Sequence, residues 1–270
     1  MASKRTGLPM TDELLVSNDD TVRTFTINRP NRHNALTPEL TALLARELKA
    51  AGTENDVRMI VITGAAGNFS VGLDLRWIAQ LGSDPVPSQL KDGLRDFQSV
   101  ILAIADAPVP VVAAVQGNVA GFGLDLALAC DLRYADASAR FTSAFARMGL
   151  VPDGGSTSSL PMLIGASRAF RFLIDGSTIS ASEALAWGLV NSVSPEGELE
   201  EALAQLAATI QPSARSSIAT IKYLIDRHNG NGLADTLGAE GLEQLRALGS
   251  DQFHQRLAAF VGKSGEGDGA

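Results

Sequence analysis

At 270 residues and 45% hydrophobic content the chain is long enough for one substantial core and short for two. Its net charge of −8 argues against nucleic acid as a partner, because that binding depends on clustered Lys and Arg displacing counterions. One cysteine, Cys130, excludes an intrachain disulfide, and His33, His228 and His254 lack metal-ligand spacing. With no apolar window near the roughly 18 to 20 residues of a membrane span, the expectation is a soluble cytoplasmic protein with no metal and no membrane partner.

In chain order, residues 21–27 alternate in the strand manner, and a polar turn at 28–34 follows. Thr37 then suits a helix cap and Pro38 the first helical position, which predicts a helix to about Ala51. Residues 59–63 form an apolar, β-branched run ended by glycine at 64 and 67, the pattern of a buried strand feeding a loop that continues through Asp74. The Pro- and Gly-containing stretch 80–90 reads as a further loop. A helix over 89–105 leads to a second buried strand at 109–115.

The segment from Gly117 to Asp131 is the most informative part of the chain. Glycines at 117, 121 and 123 precede an apolar stretch interrupted by one carboxylate, Asp125. Glycine admits positive φ and close approach of a ligand to the main chain, and the unpaired N–H groups of a helix start favour an anionic guest. A glycine hinge feeding a core helix explains the same residues, so these residues alone leave both readings open. The later glycine and acid of a dinucleotide fingerprint are missing.

Strands are expected at 132–135 and 139–141, and mainly helix beyond Gly154. Ser180 and Glu183 form a capping box for a helix stopping near Gly188, with a return to the sheet at 189–193. From Glu198 onward, three or four amphipathic helices are broken at Pro212, at 229–232 and at Gly249–Ser250. Such terminal helices pack on a core or on another subunit. Residues 263–270 read as a mobile tail.

Five segments together resemble the crotonase family, the enoyl-CoA hydratase and isomerase superfamily. They are Ile27-Asn-Arg-Pro-Asn-Arg-His-Asn-Ala-Leu36, Phe69-Ser-Val-Gly-Leu-Asp-Leu75, the Gly117 segment, Met148-Gly-Leu-Val-Pro-Asp-Gly-Gly155 and the stretch from Ile179 to Val190. The resemblance implies an α/β fold, a crotonase-like spiral of repeated ββα units over 1–200, with a C-terminal α-helical trimerisation region over 201–262. It implies acyl-CoA thioester substrates, no cofactor beyond the coenzyme A carried by the substrate, and a homotrimer or a hexamer built as a dimer of trimers. By motif position the backbone N–H groups of Leu73 and Phe122 would hold the thioester oxygen. Fixed donors of this kind are each worth about 3 to 4 kcal/mol to a transition state. Asn34, Ala35, Gly72, Asp74, Leu75, Gly121 and Phe145 would contact coenzyme A or the acyl chain. Arg29 and Arg32 would face either phosphates or solvent.

Hydratases of this family use two glutamates, and the corresponding positions here hold Asp125 and Phe145. Phenylalanine cannot activate water. Asp153, in a Pro-Asp-Gly stretch that is also a good turn sequence, stands where isomerase branches of the family carry a catalytic aspartate. The resemblance therefore implies that Asp153 removes an acyl proton, with Asp125 assisting or held structurally at its helix start. Hydration of a 2-enoyl-CoA, and an acyl-CoA-binding scaffold without catalysis, are the alternatives. Protease chemistry is disfavoured because Ser70 and Ser143 have no partnered histidine motif.

Overall fold

The computed structural model describes residues 12–81, 88–228 and 233–265. The expectations for the N-terminal segment, for residues 82–87 of the loop at 80–90, for the break at 229–232 and for the last five residues lie outside these, as does the side chain of His228.

The chain begins as an antiparallel pair, β1 (Leu14–Asp19) and β2 (Val22–Ile27), with Leu14 opposite Ile27. β2 is the alternating strand expected from the sequence. Nothing announces β1, because Leu14 is its one buried residue and an edge strand with five wetter positions shows no alternation.

From β2 the chain winds through four similar turns, each a strand of the main sheet, an extended contact in a second layer, then a helix. β2 leads to a bridge at Leu36 and to α1 (Pro38–Thr53); β3 (Met59–Gly64) leads to bridges at Ser70 and Leu73 and to α2 (Leu75–Gln80). After α3 (Ser88–Ala105), β4 (Val111–Val115) leads to β5 (Asn118–Ala120) and α4 (Phe122–Ala129). β6 (Leu132–Asp136) leads to β7 (Arg140–Thr142) and α5 (Phe145–Met148). Next come α6 (Ser156–Ile164), α7 (Ala166–Asp175), β8 (Thr178–Ser180), α8 (Ala181–Trp187) and β9 (Ser192–Ser194). The main sheet runs β1-β2-β3-β4-β6-β9, parallel from β2 onward, and the second runs β5-β7-β8. This is the expected α/β spiral of ββα units.

The local causes are legible. β4 is buried at all five positions, as suits a parallel strand covered on both faces. The Thr37 hydroxyl accepts the Leu40 N–H at 3.3 Å, a cap worth about 1 kcal/mol, and Pro38 occupies the first turn. One face of α1 then buries Leu40, Leu44 and Leu48 against α3, whose Phe97, Ile101 and Ile104 follow the same helical spacing. The capping box on α8 is complete, and Gly188 ends that helix in the left-handed region.

Four helices finish the chain. α9 (Leu199–Ile210) covers the sheet face carrying Met59, Val61, Val112 and Ala114. α10 (Arg215–His228) is tied down by Lys222, whose ammonium donates to the Ile104 carbonyl at 2.6 Å and to Asp131 at 2.7 Å. α11 (Leu233–Leu248) lies on α3 and α6, and α12 (Asp251–Gly265) on α2 and α5. α12 therefore enters the stretch 263–265 expected to be tail. Among the described residues no helix is long and apolar enough to cross a membrane, and no group of side chains is placed to hold a metal.

Candidate active site

Two loops meet at the start of α4. Gly121, at φ 52° and ψ −130°, turns the chain from β5 into the helix, a conformation open only to glycine. The facing loop approaches so closely at Gly72, φ +86°, that a Cβ there would stand 2.6 Å from the Phe122 nitrogen. The Ser70 hydroxyl fixes this loop by accepting the Gly72 N–H at 3.1 Å while donating to the Asn34 carbonyl at 2.8 Å. Leu36 pairs on either side of Leu73, donating to the Gly72 carbonyl and accepting from Asp74, and so passes over the Leu73 N–H. Among the described residues neither the Leu73 nor the Phe122 N–H donates a hydrogen bond within the protein. Two unspent backbone donors on abutting loops, one at a helix start, form a ready receptor for an oxyanion.

Beside them runs a cleft walled by Val71, Leu73, Phe97, Phe122, Phe145 and Met148. Phe97 and Phe122 meet edge-on, ring centroids 4.7 Å apart. Asp153 and Gln244 are its polar side chains.

Asp125 is completely buried in the first turn of α4, where its Oδ2 accepts the Gly154 N–H at 2.9 Å. A Cβ on Gly154 would come within 2.5 Å of the Asp125 Cβ, so glycine is required where the acid loop crosses this carboxylate. Asp125 does not line the cleft. Asp153 does, at 7% exposure, with Oδ2 accepting from the Gln244 amide at 3.2 Å and Oδ1 enclosed without a partner. Burial pushes the Asp153 carboxyl up to about 7, helped by the charge of Glu240 and opposed by the Gln244 donor. Asp125 is held well above the usual carboxylate range, first by burial and then by the charges of Asp153 and Glu240. The Gly154 N–H and the neighbouring Ser156 hydroxyl oppose this, although the hydroxyl completes no hydrogen bond of good geometry. Glu240 is raised by burial, against the groups of Thr157 and Gly155 that donate to it. Three carboxyls in one dry corner cannot all be ionised near neutrality, so a proton is retained among them.

The residues expected to grip coenzyme A divide in two. Gly72, Leu75, Gly121 and Phe145 lie at the cleft or its two donors. Asn34, Ala35 and Asp74 lie outside the cleft's lining and tie loops together. Asn34, at φ 57°, accepts the Arg29 N–H and donates to the carbonyls of Ala65 and Asn68, so its side chain is fully spent. Arg29 fits neither expectation, phosphate contact or solvent. Its guanidinium binds Glu13 and Asp74, each at 3.0 Å, and the Ala35 carbonyl. Asp74 also caps α2 by accepting the Arg76 N–H. Arg32 and His33 are exposed, whereas His254 is half-buried against Phe253.

Two site residues escaped the sequence reading, Glu240 and Gln244 of α11. Their signal was present, since Leu233, Leu237, Glu240, Gly241, Gln244 and Leu248 form one inward stripe in which two positions are polar. A polar group on an apolar stripe needs a buried partner, and here the partner is the acid loop.

Over residues 17–265 the chain matches the enoyl-CoA hydratase/isomerase family. It is 33% identical over 242 residues to the 1,2-epoxyphenylacetyl-CoA isomerase of Escherichia coli K12, covering 90% of this chain and 92% of the relative. It is 31% identical over 252 residues to the 2,3-dehydroadipyl-CoA hydratase of the same organism, covering 93% and 96%. A solved enoyl-CoA hydratase from Mycobacterium avium subsp. paratuberculosis K-10 superposes with a TM-score of 0.84 at 32% identity, covering 93% of this chain and 100% of that one.

Proposed function

Because this chain belongs to the enoyl-CoA hydratase/isomerase family, we propose that it shifts a double bond within an enoyl- or dienoyl-CoA, with Asp153 as the single acid-base group. The observation that carries this reading is the cleft's polarity. Among the described residues Asp153 is the one carboxylate that lines it, and by the family resemblance Phe145 stands where a hydratase would carry its second glutamate.

The chemistry follows from the groups present. The thioester carbonyl oxygen accepts from the Leu73 and Phe122 N–H groups, which acidifies the adjacent C–H. Asp153, poised near neutrality, takes that proton; the C–H electron pair passes into the conjugated system and onto the thioester oxygen. The protonated Asp153 then returns its proton at the far carbon, the carbonyl re-forms and the double bond has moved. Asp125 shapes the loop through Gly154 in this scheme and does not meet the acyl chain. The apolar walls exclude the water that would otherwise be added.

Supplying 2-enoyl-, 3-enoyl- and 3,5-dienoyl-CoA separately tests the reading. Bond migration in one of the latter two is expected. Rapid 3-hydroxyacyl-CoA formation without migration would sink it.

The proposed assembly is a trimer or a pair of trimers. Its support is an exposed apolar strip on α10, with Ile221, Leu224 and Ile225 each more than half exposed, and Phe170 and Ile174 on α7 likewise. Sedimentation of the intact protein should give three or six copies, and a monomer at micromolar concentration would contradict it.

A further inference from the structure

We infer that Gln244 is the positioning residue for Asp153, and that α11 thereby forms part of the reaction centre. The inference rests on the reading of Asp153 as the base. Gln244 is 1% exposed, and its Oε1 accepts the Val151 N–H at 3.0 Å. A backbone N–H can be met only by the amide oxygen, so the NH2 end must face Asp153, where it donates to Oδ2 at 3.2 Å. This orientation sorts the two carboxylate oxygens. Oδ2 is committed as an acceptor from Gln244 while Oδ1 is enclosed without a partner, so the amide fixes the plane in which the carboxylate meets the cleft.

The surrounding loop is held with the same economy. Between Val151 and Thr157, Gln244 takes the N–H of Val151 and Asp125 that of Gly154. Glu240 takes those of Gly155 at 2.6 Å and Thr157 at 3.0 Å, together with the Thr157 hydroxyl. Two of these three side chains lie one helical turn apart on α11, which places them on one face. α11 is itself seated on α3, where the Gln98 amide donates to the Leu237 carbonyl at 2.6 Å and Gly241 allows close approach to Leu94. Among the described residues Gln244 is the side chain that donates a hydrogen bond to the Asp153 carboxylate. The charged groups facing Asp153 are Glu240 from α11 and Asp125 from α4, both acids, so the ionised base is favoured by the neutral Gln244 amide together with the backbone N–H of Asp153 itself.

The test uses the full-length protein and bond migration in a 3-enoyl-CoA. Gln244→Leu should lower kcat about 100-fold, the scale of a misplaced reacting group, with a much smaller change in KM. A kcat within about three-fold of the parent, in a variant of unchanged melting temperature, would overturn the proposal. Gln244→Glu keeps the acceptor for Val151 and the side-chain shape, so it carries the test if the leucine variant fails to fold. It replaces the donor by a third acid, and the limb of the kcat profile set by ionisation of Asp153 should move to higher pH. An unmoved limb would also overturn the proposal. Asp153→Asn separates the two readings: full activity in that variant defeats the base assignment itself, whereas its inactivity beside neutral Gln244 variants defeats only the positioning role.

Discussion

The two halves of the site are built by opposite means. On the oxyanion side, residues 70–73 and 121–123 are arranged mainly by backbone conformation, through two left-handed glycines and a contact too tight for any Cβ at position 72, with the Ser70 hydroxyl as the side-chain tie. On the acid side, residues 151–157 are arranged by side chains reaching across 29 to 93 residues of sequence. The backbone half tolerates varied side chains, so Phe122 can line the cleft while its N–H serves the hole, but it tolerates no added carbon at Gly72. The side-chain half has the reverse weakness. Its geometry lives in the polar ends of Asp125, Glu240 and Gln244, where isosteric replacements change the chemistry.

That contrast predicts a series of effects. The largest is on turnover in Asp153→Asn, where removal of the base should reduce kcat about 10²–10⁴-fold while substrate affinity persists. Gly72→Ala comes next. Strain at φ +86° and the clash with Phe122 N should cost about 1–3 kcal/mol of stability. Losing one aligned donor should cost about 10²–10³-fold in kcat. If this variant were as active as its parent, the hole would not lie there. Glu240→Gln should act more gently, with a stability loss of about 1–3 kcal/mol from donors left unmatched on the acid loop. Since the Glu240 charge raises Asp153, its removal should move the Asp153 limb of the kcat profile to lower pH, the direction opposite to Gln244→Glu.

The smallest effect is on stability, and its sign follows from proton linkage. Asp153 holds its proton more tightly folded, at about 7, than unfolded, at the ordinary aspartate value of 3.8, so its contribution to stability is present below about 4 and is lost as pH rises to about 7. Asp153→Asn should therefore melt higher than the parent at pH 8, by a few degrees, and the gain should vanish toward pH 4. A melting difference independent of pH would show that the buried acid is not strained.

The sequence made the backbone half legible and left much of the other hidden, for a physical reason. Gly121 and Asp125 announce themselves because a tight turn or a helix start is specified by neighbours in the chain, and Gly72 is visible by its position in a motif. The capping residues Thr37, Ser180 and Glu183 are readable on the same ground. Asp153 was visible by its position in a motif, yet its surroundings were not. Glu240 and Gln244 meet the acid loop at separations of 85 and 91 residues, and periodicity over a helix records only that a face is buried, not what it meets. The three-residue strands β5 and β8 were hard to read because three residues cannot display a period of two, whereas β7 lies within one residue of the strand expected at 139–141. Nothing in the sequence reading assigned α2, although its Asp74 cap stands in plain view. Arg29 shows the converse hazard: a cation in a loop that looked available for phosphate is occupied by Glu13, Asp74 and a carbonyl.

The central claim is that one carboxylate and two backbone donors meet on the same acyl thioester. A crystal structure with a bound, non-reacting acyl-CoA analogue measures this directly. The account predicts the thioester oxygen about 2.7–3.1 Å from both the Leu73 and the Phe122 nitrogens, with the Asp153 carboxylate in reach of the α and γ carbons. A thioester oxygen bound elsewhere, or Asp153 more than a water-bridged distance from both carbons, would contradict it.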